Sequence, residues 1–254
     1  VEINAPPCSR GVSNGCAFCG ELARHCPDRL VLGIHDLPGG FGPYLLAPIH
    51  ALHALPDALD DDAAVVVEPL AAALRAVEAL APGNGQSVAV LGPRKLGMLV
   101  IAALAARRWA KGRRFEIVAM ARRGGLLRLA AELGADRTHL VKGDEADPPR
   151  ADIVIDTTGS PEGLDFALRA ANEEVHLKST HGRPAAGLRG LTDLVVDELS
   201  IARLPDRAPE TALPAIPSRT RPLVAWRPWR QPAPSFAAAA DIRITRSFAA
   251  LARE

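Results

Sequence analysis

Aromatic side chains are scarce. Phe, Trp and Tyr together make up 4% of the 254 residues, so the core has to be built from Ala, Leu and Val. An excess of charge of one sign is also missing, since the formal net charge is +1. That balance argues against a general nucleic-acid binder, whose electrostatic footprint is a strongly basic domain. Long hydrophobic runs are absent. The longest, Leu96 to Ala106, falls well short of the ~20 residues of a membrane-spanning helix, so no membrane partner is expected. The chain opens without the charged-then-apolar pattern of a secretory signal, which sets the expectation of a cytoplasmic protein. It also opens without Met. Val1-Glu2-Ile3-Asn4 reads as the middle of a strand, and the expectation is an N-terminally truncated fragment. What is present suits a packed globular protein: 48% of residues are hydrophobic, and the length allows one large domain or two small ones.

The stretch Ser87 to Arg108 organises the chain. A short Val-rich run, Ser87 to Leu91, breaks at Gly92-Pro93 and resumes at Leu96 as an apolar, Ala-rich segment suited to a buried helix. A buried strand, a glycine turn and a helix form the first half of a dinucleotide-binding βαβ unit. Gly92 lets the chain turn off the strand, and Gly97 lets the helix lie close to the sheet. The free N–H groups of the first helical turn, over Lys95 and Leu96, then face a pyrophosphate. The usual spacing is G-x-G-x-x-G, and Arg94 stands at the second glycine. Either its side chain swings away or reaches the pyrophosphate itself, or its bulk obstructs the site and the turn is only structural.

All four cysteines, Cys8, Cys16, Cys19 and Cys26, fall within the first 26 residues, spaced C-x7-C-x2-C-x6-C. Four thiolates in one short loop suit a closed, tetrahedral structural zinc site with no open position for catalysis. Two disulfides are the alternative, expected of a small secreted domain. The missing secretion signal and the length of the chain favour zinc.

Further along, Asp60-Asp61-Asp62 suits a helix N-terminus, where carboxylates complement the dipole. Leu70, Leu74, Val77 and Leu80 then recur at helical spacing within Val65 to Leu80, and Glu68 precedes Pro69, a residue favoured in a first helical turn. Phe115 to Met120 reads as the second strand of the βαβ unit. The residues after it, Ala121-Arg122-Arg123, offer no acid for an adenosine ribose. Two guanidiniums can instead pair with a 2′-phosphate, which favours NADP over NAD; a solvated basic turn is the plainer alternative. Leu126 to Gly134 reads as a helix closed by glycine, and Ala151 to Gly159 as a strand. Strand carboxyl ends line the cofactor crevice in open parallel sheets, which makes Thr157, Thr158 and Gly159 cofactor-binding candidates. Val175 to Thr180 reads as a further strand, with Lys178 and Thr180 near the same edge. His35, His50, His53, His139, His176 and His181 show no metal-ligand spacing and read as loop or surface residues. From about Leu204, frequent Pro and dense Arg interrupt any regular period.

Several segments resemble the zinc-containing medium-chain alcohol dehydrogenases, the threonine and sorbitol dehydrogenase-like branch above all. The segments are the cysteine loop with Arg24-His25-Cys26-Pro27, then Gly39-Gly40-Phe41-Gly42-Pro43-Tyr44, Glu68-Pro69-Leu70-Ala71 and Leu133-Gly134-Ala135-Asp136. The family spaces its structural-zinc ligands C-x2-C-x2-C-x7-C, and Ser13 stands here near the place of the first. The resemblance covers roughly residues 1 to 203. It implies an α/β fold: a Rossmann doubly wound parallel sheet over 65–203, the remnant of a GroES-like β-rich catalytic domain over 1–64, and a divergent segment over 204–254. It implies an alcohol:NAD(P) oxidoreductase acting on a small-molecule alcohol, able to form a homo-oligomer. Glu68 takes an active-site role at or beside the catalytic zinc. The family's main catalytic-zinc ligands, a Cys and a Gly-His-Glu, have no counterpart in this chain. Three readings follow: a fragment of a working dehydrogenase, inactive alone; a catalytically dead dinucleotide-binding module; or a zinc-stapled interaction protein without cofactor.

Overall fold

The computed structural model describes residues 4–8, 29–47, 49–143 and 145–179, with the backbone path alone for 4–8 and for His50. Its main body is a parallel sheet of five strands: β4 (Ser87–Leu91), β5 (Glu116–Ala121), β6 (Arg137–Leu140), β7 (Ala151–Asp156) and β8 (Ala171–Leu177). They lie in the order β6-β5-β4-β7-β8, and every neighbouring pair is parallel. The chain therefore starts at the centre, builds outward through β5 and β6, then returns to β4's other side to lay down β7 and β8. This is the doubly wound order.

Alternation along the central strands divides the core into two layers. Val88, Val90, Ile117, Ala119, Ile153 and Ile155 face helices α2 (Val67–Leu80), α3 (Lys95–Ala110) and α4 (Gly124–Glu132). Ala89, Leu91, Val118, Met120 and Val154 face α5 (Pro161–Ala170). Strands buried on both faces read as unbroken apolar runs, as Val88–Leu91 and Ile153–Ile155 do. Helix α3 is packed by α2 on one side and by the sheet on the other. Met98, Leu99, Val100 and Ile101, four consecutive residues, are all buried, so its apolar surface runs around the helix instead of forming a single stripe.

A second, three-stranded sheet pairs β1 (Asn4–Cys8) antiparallel to β2 (Arg29–Leu32), which runs parallel to β3 (Asp36–Leu37). The acidic run does start a helix: Asp60 caps α1 (Asp61–Ala64), its carboxylate accepting the Ala63 N–H at 2.9 Å.

The apolar stripe within Val65 to Leu80 lies on one helix, α2, which begins at Val67 after a turn at Val65 and Val66. Two expectations are corrected. The Gly39 to Leu45 segment, whose family counterpart leads a strand, forms no strand here; Phe41 and Tyr44 project into solvent and bury nothing. His139 and His176 are strand residues, in β6 and β8, and the His139 Nε2 lies 2.8 Å from the Glu145 carboxylate. The Pro/Arg-rich segment from 204 onward lies outside the described residues. No described helix is long and apolar enough to cross a membrane.

Candidate functional site

In an open parallel sheet, ligands bind beyond the strand carboxyl ends where the chain reverses its direction of build. Here that point lies between β4 and β7, where Leu91 pairs with Asp156. The two turns that leave these strands, Gly92-Pro93-Arg94 and Thr157-Thr158-Gly159, are locked together. The Thr157 hydroxyl donates to the Leu91 and Gly92 carbonyls at 2.9 and 3.0 Å, and the Thr157 N–H donates to Leu91 at 3.0 Å. Asp156, 4% exposed, accepts from the Thr158 N–H and hydroxyl at 2.8 and 2.7 Å. The hydroxyls of both threonines are thus engaged within the protein, and Asp156 is a turn-forming acid.

The two glycines have separate physical reasons. Gly92 sits at φ +71°, and a Cβ there would stand 2.6 Å from the Thr158 methyl. Gly97 is helical, but a Cβ on it would stand 2.6 Å from the Thr157 hydroxyl. Helix α3 therefore approaches the end of β7 as closely as its backbone allows. Its first-turn N–H groups, at Lys95, Leu96 and Gly97, have no intrahelical acceptors and open onto the switch point.

Arg94 is the N-cap of α3. Its backbone lies at φ −100°, ψ −152°, a conformation open to any residue, so the turn does not need glycine there. The Arg94 N–H is spent on the Gly92 carbonyl at 2.7 Å. The side chains of Arg94 and Lys95 are exposed and have no partner among the described residues.

Arg122 and Arg123 follow directly on β5, beside the carboxyl end of β4, and both are exposed. Glu68 stands in the first turn of α2, half-buried. Burial pushes its carboxyl above the usual range, and the ammonium of Lys178 opposes that shift. Lys178 follows β8 and donates its N–H to the Asp156 carbonyl at 2.9 Å. The Glu68 and Lys178 charges therefore sit at the same carboxyl end of the sheet as the glycine turn. Ser179, unnoticed in the sequence, donates its hydroxyl to the Thr157 carbonyl at 3.2 Å and ties the β8 exit to the same turn. Only the fold, which sets β8 beside β7, brings it there.

These residues fit a dinucleotide: a tight glycine turn, open helix N–H groups, and free cations at the ends of β4 and β5. For zinc, Cys8 lies at the end of β1, while Cys16, Cys19 and Cys26 lie outside the described residues, as do Thr180 and His181. Among the described residues no group of three or more His, Cys, Asp or Glu converges on one point.

No protein-family model matches the chain. Its curated relatives are dehydrogenases. L-threonine 3-dehydrogenase of Bacillus velezensis is 29% identical over 181 residues, covering 71% of this chain and 46% of that protein. Among solved structures, a protein described as a zinc-binding dehydrogenase from Sinorhizobium meliloti, bound to NADP, aligns with TM-score 0.57 and 25% identity over 72% of this chain and 56% of its own. Galactitol-1-phosphate dehydrogenase of Escherichia coli, at 17% identity, shares the fold over 92% of this chain and 64% of its own, with TM-score 0.63. The chain spans about half the length of the curated relative. In sequence and in fold it is similar to the zinc-containing medium-chain dehydrogenases, the threonine and sorbitol dehydrogenase branch included.

Proposed function

We propose that the chain supplies the dinucleotide-binding part of an alcohol or polyol oxidoreductase and takes NADP in preference to NAD. The observation that carries this reading is the switch point itself, where α3 is drawn against the β7 turn through Gly97 and presents its open N–H groups. A pyrophosphate placed there accepts hydrogen bonds from the Lys95, Leu96 and Gly97 N–H groups and meets the positive end of the helix dipole. Thr157 and Thr158 hold the floor of the crevice rigid, and Gly159 closes it. Arg122 and Arg123 pair with a ribose 2′-phosphate, where charge-assisted bidentate contacts outweigh neutral ones. Glu68, half-buried in the first turn of α2 with its carboxyl raised by burial against the opposing Lys178 charge, takes the active-site role on the substrate side. The nicotinamide, when bound, supplies the hydride acceptor, and the protein's share is placement and electrostatics. A structural zinc held by Cys8, Cys16, Cys19 and Cys26 belongs to the same reading, as does a small-molecule alcohol substrate.

A second reading, a dinucleotide-binding module without turnover, is favoured by one residue, Arg94 at the second glycine position. Titration by cofactor fluorescence tests the shared part. NADPH is expected to bind more tightly than NADH, with the order reversed in Arg122→Asp. Equal affinities would remove the role given to Arg122, and no binding of either cofactor at millimolar concentration would remove the crevice. Because the family's Cys and Gly-His-Glu have no counterpart in residues 1–254, these residues alone are expected to oxidise no alcohol, and zinc-dependent hydride transfer from a secondary alcohol to NADP by them would overturn that expectation.

A further inference from the structure

The opposite end of the sheet carries a second concavity that the crevice does not use. An open cleft of about 810 Å³ lies where the C-terminus of α3 meets the starts of β5 and β6. Trp109, Arg113, Arg114 and Phe115 are among its walls.

The charges of this cleft are unequal. Arg108 is neutralised by Asp136, and Glu116 by Arg137 at 2.9 Å. Arg113 donates to two backbone carbonyls, Ala81 at 2.9 Å and Pro82 at 2.6 Å, which fix the guanidinium without cancelling its charge. Arg114 is held by its backbone, its N–H donating to the Asn84 side chain at 2.9 Å. Its side chain, like that of the neighbouring Lys111, has no partner among the described residues. Among the described residues three cations are thus left without a carboxylate partner. The α3 C-terminus opposes them only weakly, because its last carbonyls already accept the Lys111, Gly112 and Arg113 N–H groups.

Beside these cations stands an indole in the wrong place for packing. Trp109 is 79% exposed in a chain poor in aromatics. A large flat π-surface next to a fixed guanidinium and a free one matches a ligand that is flat at one end and anionic at the other. Aromatic faces stack on nucleobases, and guanidiniums pair with phosphate through two parallel hydrogen bonds.

We propose that this cleft is a second ligand site, for a free nucleoside phosphate, with the base stacked on Trp109 and the phosphate held by Arg113 and Arg114. It is independent of the crevice, which lies at the other end of the strands.

The test is a nuclear magnetic resonance titration of the full chain with AMP, in the presence of saturating NADPH to occupy the crevice. The indole N–H signal of Trp109, assigned by its loss in Trp109→Ala, is the readout. AMP is expected to shift it saturably, adenosine to bind at least tenfold more weakly, and Arg114→Ala to weaken AMP by about tenfold with the fold intact. No shift at millimolar AMP, equal shifts with adenosine, or an unchanged affinity in Arg114→Ala would each overturn the site. A single-stranded oligoadenylate binding tenfold more tightly per site than AMP would overturn the free nucleotide in favour of nucleic acid.

Discussion

At the scale of single residues the two turns of the switch point set what can change. Gly97→Ala gains roughly 1 kcal/mol of helix propensity. Against this, its methyl must enter space 2.6 Å from the Thr157 hydroxyl, which two carbonyls hold in place. Overpacking of a tight core costs about 1–3 kcal/mol. The cost wins, and Gly97→Ala is expected to destabilise by up to about 2 kcal/mol in urea unfolding. In a Thr157→Ala background the same substitution should be neutral or stabilising, since the obstructing oxygen is gone. An additive double-mutant cycle would show that the two sites do not touch. Arg94 is the opposite case. Its backbone conformation suits any residue and its guanidinium is free to turn, so only its bulk beside the phosphate is at issue. The charge can follow a phosphate, but the Cβ stays whichever way the side chain rotates. Arg94→Gly is therefore expected to tighten NADPH by roughly tenfold, equivalent to about 1.4 kcal/mol. Weaker binding in that variant would make the guanidinium a phosphate ligand.

At the scale of elements, legibility followed burial. β4, β5 and β7 are covered on both faces, and their apolar runs stand out in the sequence. β6 is an edge strand, Arg137-Thr138-His139-Leu140, with little buried surface and no apolar run to betray it. β8 begins at Ala171, earlier than its apolar end suggests, because the exposed Asn172, Glu173 and Glu174 carry the edge strand across a register shift between the Ala171 and Glu174 pairs. The start of α5 has a local signal, Ser160-Pro161: Ser160 accepts the Gly163 N–H at 3.0 Å, and Pro161 opens the first turn. The glycine turn and the Arg pair were legible because their chemistry is local. The Glu68–Lys178 proximity and the Ser179 tether were not, since only the crossover to β8 creates them. One long-range tie at this scale is Asp136, the residue before β6. It accepts from the Ile117 N–H at 2.8 Å and from the Arg108 guanidinium, joining α3, β5 and β6. Burial raises its carboxyl, but these bonds outweigh burial and hold it below the usual carboxylate range. A depressed acid contributes stability above its unfolded pKa and loses it as pH falls through the folded one. Its carboxylate is 40% exposed, so solvent screening keeps the contribution near the low end of a charged hydrogen bond, about 1–2 kcal/mol. Asp136→Ala should cost that much at pH 7. The gap from wild type should shrink as pH drops below roughly 4, the ordinary Asp value. A gap that stays constant down to pH 2 would mean that the carboxylate charge contributes nothing.

At the scale of the whole molecule the chain divides its chemistry by position. The crevice residues from Gly92 to Gly159 all belong to the five-stranded sheet and its turns, whereas the four cysteines fall within the first 26 residues. A zinc in that early loop would close a short stretch of chain, and structural zinc sites contribute folding free energy directly. The rigidity of the pyrophosphate turn comes instead from Thr157, Thr158 and Asp156. Two results should therefore separate. Metal analysis of the purified chain should find about one zinc, lost in Cys19→Ser, and chelation should lower the thermal midpoint. NADPH affinity in the chelated protein should stay within about twofold of the metal-bound value, because a twofold change is only about 0.4 kcal/mol. Finding no zinc, or two disulfides by mass spectrometry, would sink the metal site. A large fall in NADPH affinity on chelation would instead show that the early loop supports the crevice, and that the two halves of the chemistry are coupled through the fold.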